Sequence, residues 1–407
     1  MIVKQYIKDF EKLGFGLFVH FGVYSVIGKG EWAKGIFAIP DEEYAKYASQ
    51  FIPDEDWAKE LVAKAKKAGA KYITITARHH DGFSLYDTCG LNTYDTVHFC
   101  SRDLIREFTD ACNEGGIVPF FYHTLLDWHQ ASYENDFESY LEYLRKSVQI
   151  LCTKYGKIGG IWFDGMWHKP THDWQEDALY GMIRKYQPDA MIINNTGLSA
   201  RGALGHIELD SVTFERGRPQ KINTEDAPKY IASEMCQTLA SHWGYAEYDL
   251  SYKSPAEIIT DLTVCRKCGS NFLLNVGPMG NGKLSCIDSA ILDVVAKWTQ
   301  VNGQIISASP LDAGVESSSD DFMLQGDDCY YLLCNGLPMV ADPNVVLASQ
   351  STDYDVKFTT DKKIKKIFWL DNNEELVFTQ ENGKVTLRKT PFGYGSSLVV
   401  RAAKILF

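Results

Sequence analysis

Titratable side chains stand at the ends of several short apolar runs in the first two thirds of the chain. These side chains are His20, the pair His79 and His80, Tyr122 with His123, Asp164 and Glu215. Continuously apolar runs are typical of parallel strands, and the active site of a parallel α/β barrel lies at the carboxyl ends of its strands. The sequence therefore predicts that these groups, although far apart in the chain, converge on one pocket.

Asp164 is the strongest candidate for a catalytic group. It follows Ile161, Trp162 and Phe163, so its carboxylate ends a strand in an apolar setting where an ionised group needs a reason. A carboxylate nucleophile suits glycoside hydrolysis, in which two carboxyl groups flank the scissile bond. The structural alternative is a carboxylate that caps the next element or pairs with an arginine.

Glu215 is the natural second carboxyl group, because it ends another predicted strand across the barrel. A purely structural Glu215 would pair with Arg216 or Arg218. The glutamates that rival it for the role of general acid and base are Glu208, Glu225, Glu234 and Glu247. Of the two carboxyl groups, Asp164 is therefore the firmer assignment.

The histidines admit two interpretations. His20, His79 and His80 could ligate a metal together with Asp164, but adjacent strand residues point to opposite faces and the His-x-His spacing of metal hydrolases is absent. Imidazoles and carboxylates also bond sugar hydroxyls, while tryptophan faces pack on the C–H surface of a sugar. Glu31-Trp32 in a Gly-rich loop offers the same pairing. We favour sugar binding and expect no metal and no cofactor.

Eight short apolar runs must position these groups, and amphipathic stretches separate most of them. The runs cover residues 16–20, 72–77, 118–123, 160–164, 191–195, 211–215, 233–239 and 272–276. Helices are predicted over 54–68, 102–114, 137–155, 176–186, 255–267 and 287–301, with poor helical periodicity after the fifth and sixth strands. This alternation predicts an α/β fold, a (β/α)8 TIM-like barrel over residues 1–305. An open doubly wound sheet is the alternative, although no G-x-G-x-x-G turn follows the first strand.

After residue 305 the pattern changes to short alternating strands. They cover 329–334, 354–358, 364–370, 384–388 and 398–402, with breaks rich in Ser, Asp and Gly between them. This predicts a small C-terminal antiparallel β-sandwich domain over 306–407. All ten His and eight of the nine Trp precede residue 300, so we expect the chemistry in the barrel.

Composition narrows the class of protein further. The chain has 407 residues, 45% of them hydrophobic and 23% charged, with a net charge of −12. An acidic balance disfavours nucleic acid or an anionic membrane as partner, and no apolar run is long enough to span a bilayer. The N-terminus lacks the apolar core of a signal peptide, so we expect a cytoplasmic enzyme whose cysteines are free thiols. Whether it forms a homo-oligomer is left open.

Taken together, the motifs resemble those of glycoside hydrolase family 29, the α-L-fucosidases. The matching segments are GLFVHFG at 16–22, Glu31-Trp32, AGAKYITITARHHDGF at 68–83, Arg102-Asp103, Leu126-Asp127-Trp128, WFDG at 162–165, SHWGY at 241–245 and GSNFLLNVGP at 269–278. They run in family order across the whole predicted barrel. In that family the barrel is followed by a β-sandwich domain, which agrees with the change in pattern.

The resemblance implies a retaining exo-α-L-fucosidase acting on fucosylated oligosaccharides or glycosides. Asp164 matches the nucleophile, and Glu215 sits where several members carry Thr-x-Glu with the acid/base. The positions that match the fucose pocket are His20, Glu31, Trp32, His79, His80, Tyr122 and Trp162, with Phe18 and Trp243 as the aromatic wall against the methyl group. Members usually carry an arginine after the fifth strand as Asn-x-Arg. This chain has Asn194-Asn195-Thr196 there, and its nearest arginine is Arg201.

Three alternatives stay open from the sequence alone. They are a retaining glycosidase for another sugar on the same barrel, a metal-dependent barrel hydrolase using His20, His79 and His80, and a non-catalytic fucose-binding protein. The linkage preference depends on the side of the site that holds the leaving group. The candidate segment there is 166–173, which contains Trp167, His168 and His172.

Overall fold

Eight parallel strands close into a barrel, as the sequence predicts. In chain order they are β1 Phe15–Val19, β2 Tyr72–Arg78, β3 Val118–Thr124, β4 Gly160–Asp164, β5 Met191–Asn194, β6 Ser211–Glu215, β7 Ala232–Thr238 and β8 Asn271–Val276. β8 pairs with β1, from Phe272 opposite Phe15 to Val276 opposite Val19. The computed structural model describes residues 3–196, 202–220, 222, 229–342, 345–346 and 354–407.

Helices connect most of the barrel strands. Those in the described ranges are α1 Gln5–Leu13, α2 Tyr24–Ile27, α3 Ala33–Ile36, α4 Asp41–Ala48, α5 Trp57–Ala68, α6 Thr96–Cys100, α7 Leu104–Gly115, α8 Ser132–Asn135, α9 Phe137–Lys154, α10 Glu176–Tyr186, α11 Pro255–Cys268 and α12 Cys286–Asn302. All six predicted helices are present, as α5, α7, α9, α10, α11 and α12. The described residues between β5 and β6, and between β6 and β7, contain no helix, in line with their poor periodicity.

Local sequence explains where several helices begin and end. The carboxylates of Asp103 and Asp136 accept the N-terminal N–H groups of α7 and α9. Ser254 and Glu257 form a reciprocal capping box at the start of α11, where Pro255 occupies the first turn. These devices satisfy backbone donors that the first turn of a helix leaves without a partner.

The barrel interior is filled by large side chains that alternate along the strands. Phe18, Tyr72, Phe120 and Trp162 belong to one buried cluster, which the unpredicted helix α1 extends with Ile7 and Phe10. Gly16 makes room for this layer, since a Cβ atom there would lie 2.5 Å from the Tyr72 ring. The barrel interior is thus a packed core, as is typical of this fold.

The C-terminal part of the chain forms antiparallel sheets around one core, which confirms the predicted fold class. Its strands are β9 Ser309–Leu311, β10 Phe322–Gln325, β11 Cys329–Asn335, β12 Val340–Asp342, β13 Val345–Val346, β14 Asp355–Thr359, β15 Lys366–Trp369, β16 Phe378–Glu381, β17 Lys384–Arg388 and β18 Val400–Leu406. One sheet has the order β15-β18-β11-β10-β9 and another the order β14-β17-β16. Leu332 and Trp369 of the first sheet share a buried cluster with Val356 and Leu387 of the second.

Compactness divides the chain into two units. One consists of Met1–Lys253 and Asn271–Asp293, and the other of Ser254–Ser270 and Val294–Phe407. The helix α11 therefore groups with the C-terminal strands, and the domain boundary at residue 305 stays a prediction. No helix in the described ranges is long and apolar enough to cross a membrane.

Asp210 supports the barrel where its hydrogen bonding is thinnest, because β5 and β6 pair only through Ile193 and Ser211 in the described register. Its fully buried carboxylate accepts from the Tyr6 hydroxyl at 3.0 Å, from the Ile192 N–H at 2.9 Å and from Lys229 Nζ at 2.9 Å. Arg184 also donates to it. One buried carboxylate thus ties α1, α10 and the ends of two strands together.

Asp210→Asn is expected to destabilise the barrel by about 3–5 kcal/mol, because two partly buried cations lose their counter-charge. The midpoint of the barrel's urea transition measures the effect. Asp189→Asn, an exposed aspartate just before β5, is the matched control and should leave the midpoint unchanged. Equal midpoints for the two variants would refute this role for Asp210.

Candidate active site

A cavity opens at the carboxyl ends of the barrel strands, where the sequence places the titratable groups. Its wall consists of Phe18, His20, Trp32, His79, His80, Tyr122, Trp162, Asp164, Trp167, Asn195, Glu215, Cys236 and Trp243. The structure therefore brings together every predicted site residue except Glu31 and His123. The prediction for His123 is wrong, because its side chain is buried on the outer side of β3, where Nε2 lies 2.8 Å from Ser147 Oγ of α9. That the residues of the wall bind a sugar stays a prediction at this point.

Asp164 ends β4 with its side chain 17% exposed to the cavity. Its Oδ2 atom accepts from the Tyr122 hydroxyl at 3.1 Å, and its Oδ1 atom accepts from Trp167 Nε1 at 3.1 Å. The sharp turn after it requires Gly165, whose φ is +99° and where a Cβ atom would lie 2.7 Å from Leu126. The carboxylate is therefore held by neutral donors on two sides.

Asn195 joins the two predicted catalytic carboxylates. Its Nδ2 atom lies 2.6 Å from Glu215 Oε2 and 3.4 Å from Asp164 Oδ1. The Thr213 hydroxyl donates to Asn195 Oδ1 at 3.1 Å, from the strand that also carries Glu215. The ends of β4, β5 and β6 thus meet at this one amide group.

Two histidines face the cavity as neutral acceptors. His20 Nδ1 lies 2.6 Å from Asn275 Oδ1, an acceptor, so Nδ1 carries the proton and Nε2 keeps its lone pair. His80 Nδ1 donates to Thr124 Oγ1 at 2.7 Å, because the Thr124 hydroxyl is itself committed to the Leu126 carbonyl. Burial lowers the pKa of His20 to about 3 and that of His80 to about 4.

His80 also shows where a hydroxyl group fits. Its Nε2 atom lies 3.6 Å from Asp164 Oδ2. With Nδ1 protonated, both atoms are acceptors, and a hydroxyl group that lies beside the pair can donate its proton to one of them.

Aromatic rings form the rest of the wall. Trp243 packs against His20 at a ring distance of 5.2 Å and against Phe18 at 5.9 Å. Tyr122 stacks on His79 at 5.6 Å and on Trp162 at 5.7 Å. The Phe18 and Trp243 rings thus form an apolar corner beside an acceptor-rich one.

Glu31 lies behind the wall and not on it. Its buried carboxylate accepts from the backbone N–H groups of Trp243 and Gly244, at 3.1 and 2.9 Å. These bonds fix the loop that carries the Trp243 ring. The direct contact with a sugar that the resemblance implies for Glu31 stays a prediction.

The rivals of Glu215 lie elsewhere. Glu234 is buried inside the barrel, where Trp162 Nε1 and the Tyr72 hydroxyl donate to it and burial raises its pKa to about 7. Glu208 precedes β6, at the other end of the barrel, and Glu247 is exposed on a loop. Glu225 and the arginine nearest to the fifth strand, Arg201, lie outside the described residues.

Three residues of the wall, Asn195, Cys236 and Trp167, are not among the predicted site residues. In the sequence Asn195 belongs to an Asn-Asn-Thr run, Cys236 is one of the cysteines expected to be free thiols, and Trp167 lies in the candidate leaving-group segment. Alternation on β7 could have placed Cys236 in the interior, two residues after Glu234. Among the residues described, no group of three or more His, Cys, Asp or Glu is arranged to hold a metal ion.

Comparison with known proteins gives one consistent answer. A family model for alpha-L-fucosidase matches residues 3–304. The tissue alpha-L-fucosidase of Mus musculus is 30% identical over 336 residues, covering 74% of this chain and 71% of its own length. The alpha-L-fucosidase of Dictyostelium discoideum is 26% identical over 339 residues, covering 74% and 71%.

Solved structures agree in fold over nearly the whole chain. Alpha-L-fucosidase isoenzyme 1 from Paenibacillus thiaminolyticus superposes with a TM-score of 0.82 at 27% identity, covering 99% of this chain and 98% of that one. A Bacteroides thetaiotaomicron alpha-L-fucosidase, trapped as a covalent intermediate with 2-fluoro-fucosyl fluoride, has a TM-score of 0.81 at 21% identity and covers 99% and 96%.

Acidification is expected to destabilise the barrel before it protonates the cavity imidazoles. The unfolded chain takes up protons below pH 6.5, whereas folded His20 and His80 do so only near their pKa values of about 3 and about 4. The free energy of unfolding therefore falls as the pH drops from 6.5 towards 4, by up to about 1.4 kcal/mol per pH unit for each imidazole.

Urea midpoints measured from about pH 7.5 to about pH 4.5 give this slope. His80→Asn should reduce the slope, and His172→Asn, at an exposed imidazole, should not. A slope that His80→Asn leaves unaltered would contradict the assignment of a buried neutral imidazole.

Proposed function

The chain belongs to the α-L-fucosidase family of glycoside hydrolases, and from that premise we propose a retaining exo-α-L-fucosidase with Asp164 as nucleophile and Glu215 as acid/base. The observation that carries the proposal is the shared amide group of Asn195. Asn195 Nδ2 lies 2.6 Å from Glu215 Oε2 and 3.4 Å from Asp164 Oδ1. These two carboxylate oxygens can therefore be no more than about 6 Å apart.

That separation supports retention of configuration. Retaining glycosidases hold their two carboxyl groups at about 5–5.5 Å, whereas inverting enzymes need about 6.5–9.5 Å to admit a water molecule between sugar and base. The covalent intermediate trapped in the Bacteroides thetaiotaomicron relative supports the same course. We infer that this chain also forms a glycosyl-enzyme.

The first step transfers fucose to the enzyme. Asp164 attacks the anomeric carbon while Glu215 gives its proton to the leaving oxygen, so the C–O bond to the leaving group breaks as the bond to Asp164 forms. In the second step Glu215 takes a proton from water, and that water displaces Asp164 from the anomeric carbon. Both residues return to their starting states.

The neutral side chains fit the fucosyl group. His20 and His80 offer Nε2 lone pairs to sugar hydroxyls. The Phe18–Trp243 corner suits the methyl group and C–H surface of a deoxy sugar. An uncharged sugar needs no basic patch, and no lysine or arginine is among the described residues of the wall.

The leaving group would lie over a cluster of tryptophans at the cavity mouth. Trp32 stacks on Trp167 at 5.9 Å and meets Trp128 edge-on at 5.1 Å. Such rings pack well on the next sugar of an oligosaccharide. We therefore propose fucosylated oligosaccharides or glycosides as substrates.

Asp164→Gly should lower the turnover of an aryl α-L-fucoside by about 10⁴-fold or more, because no covalent intermediate can form. Azide should restore part of the rate by filling the vacated space and attacking the anomeric carbon directly. The product should be the β-fucosyl azide, identified by NMR. Full activity without azide would end the assignment, and a panel of other aryl glycosides tests whether the sugar is fucose.

Glu215→Ala should slow hydrolysis about 10²- to 10⁴-fold for leaving groups that need a proton, and much less for activated aryl fucosides. Azide should here intercept the glycosyl-enzyme and give the α-fucosyl azide. Glu247→Ala, at an exposed glutamate, is the matched control and should behave as the wild type. A loss that does not depend on the leaving group would remove Glu215 from the acid/base role.

A further inference from the structure

We propose that Asn195 is a positioning residue whose amide group follows the negative charge as it moves between Asp164 and Glu215. The inference rests on the proposed double displacement and goes beyond it, because it gives a role to a residue outside the catalytic pair. Asn195 directly follows β5 and is 3% exposed. Its backbone N–H donates to the Phe163 carbonyl at 2.9 Å, which anchors it beside the end of β4.

The chemistry of its neighbours fixes the orientation of the amide. The ionised carboxylate of Asp164 only accepts, so the amide group that lies 3.4 Å from Asp164 Oδ1 and 2.6 Å from Glu215 Oε2 is the NH2 end. The carbonyl end then points to Thr213, whose hydroxyl donates to it at 3.1 Å. A donor on the carbonyl oxygen polarises the amide and strengthens its N–H groups.

The charge balance of the reaction explains why one amide group lies close to both carboxyl groups. Before the first step Asp164 is ionised and Glu215 carries a proton; after it Asp164 is esterified and Glu215 is ionised. One negative charge has moved from one carboxyl group to the other, and the second step returns it. An NH2 group has two N–H donors, so one amide can strengthen its bond to whichever carboxylate holds the charge.

Asn195 Nδ2 lies within hydrogen-bond distance of both carboxyl groups. The donors Tyr122 and Trp167 lie against Asp164, and the cavity wall contains no lysine or arginine in its described part. A fixed cation would favour one location of the charge over the other. A neutral bridging donor stabilises both, which lets both steps proceed at similar rates.

The test compares both chemical steps in variants at adjacent positions. Asn195→Ala removes the shared donor, and Asn195→Ser keeps a single donor. Asn194→Ala is the matched control, because Asn194 Nδ2 bonds the Tyr180 hydroxyl at 3.0 Å and not the carboxylates. An activated aryl fucoside reports the first step through kcat/KM, and reactivation of the enzyme trapped with a 2-fluoro-fucosyl fluoride reports the second.

Asn195→Ala should slow both steps by a similar factor, about 100-fold, with KM little changed. The pH profile of kcat/KM should move to higher pH on both limbs, because the lost donors favoured the ionised carboxylates. Asn195→Ser should recover part of both rates. Asn194→Ala should keep the wild-type profile, even where it lowers the melting temperature.

Three outcomes would overturn the inference while leaving the proposed function intact. They are a slowed first step with a normal second step, a change confined to KM, and an Asn195→Ala profile that matches Asn194→Ala. A folded wild type that forms no fluorofucosyl-enzyme and turns over no fucoside would instead overturn the proposed function itself.

Discussion

Two carboxylates lie within about 6 Å of each other in an aromatic cavity, and much of the barrel is arranged to supply them with hydrogen-bond donors. Ionised groups in a low-dielectric site require donors, and here a phenol, an indole and an amide supply them. Each donor comes from a different strand or turn. The site therefore exists only when β3, β4, β5 and β6 are in register.

The layer beneath the cavity keeps that register. Tyr122 and Trp162 lie opposite each other on β3 and β4, and their rings stack at 5.7 Å. Glu234 fixes the Trp162 indole from below and is itself held by Tyr72, so the ring offered to the cavity is bonded to the barrel core. Asp210 does similar work at the opposite end, where β5 and β6 share few backbone bonds.

The sequence is enough to predict the barrel and most of the cavity wall, because the ends of buried strands can be recognised in the sequence. A buried parallel strand is continuously apolar, and a titratable residue after it is conspicuous, as at His20, Asp164 and Glu215. Asn195 is not conspicuous, since an amide has no charge to explain and suits a turn as well as a site. Glu31 shows the converse, because whether a loop carboxylate faces a cavity or a backbone depends on contacts between segments distant in the chain. The short helix α1 is hard to predict for the same reason, because its buried face packs against residues that come together only in the closed barrel.

Burial of the imidazoles lowers the stability of the fold in acid but keeps both side chains neutral acceptors. Each neutral histidine presents a lone pair to the cavity because its other nitrogen is bonded to Asn275 or Thr124. Protonation would turn that acceptor into a donor and place a cation beside the nucleophile, which would favour the charge on Asp164 and oppose its transfer to Glu215. The desolvation that weakens the fold in acid is therefore the same effect that keeps these two imidazoles uncharged. An enzyme that moves one negative charge between two carboxyl groups, on an uncharged substrate, gains from surroundings that prefer neither.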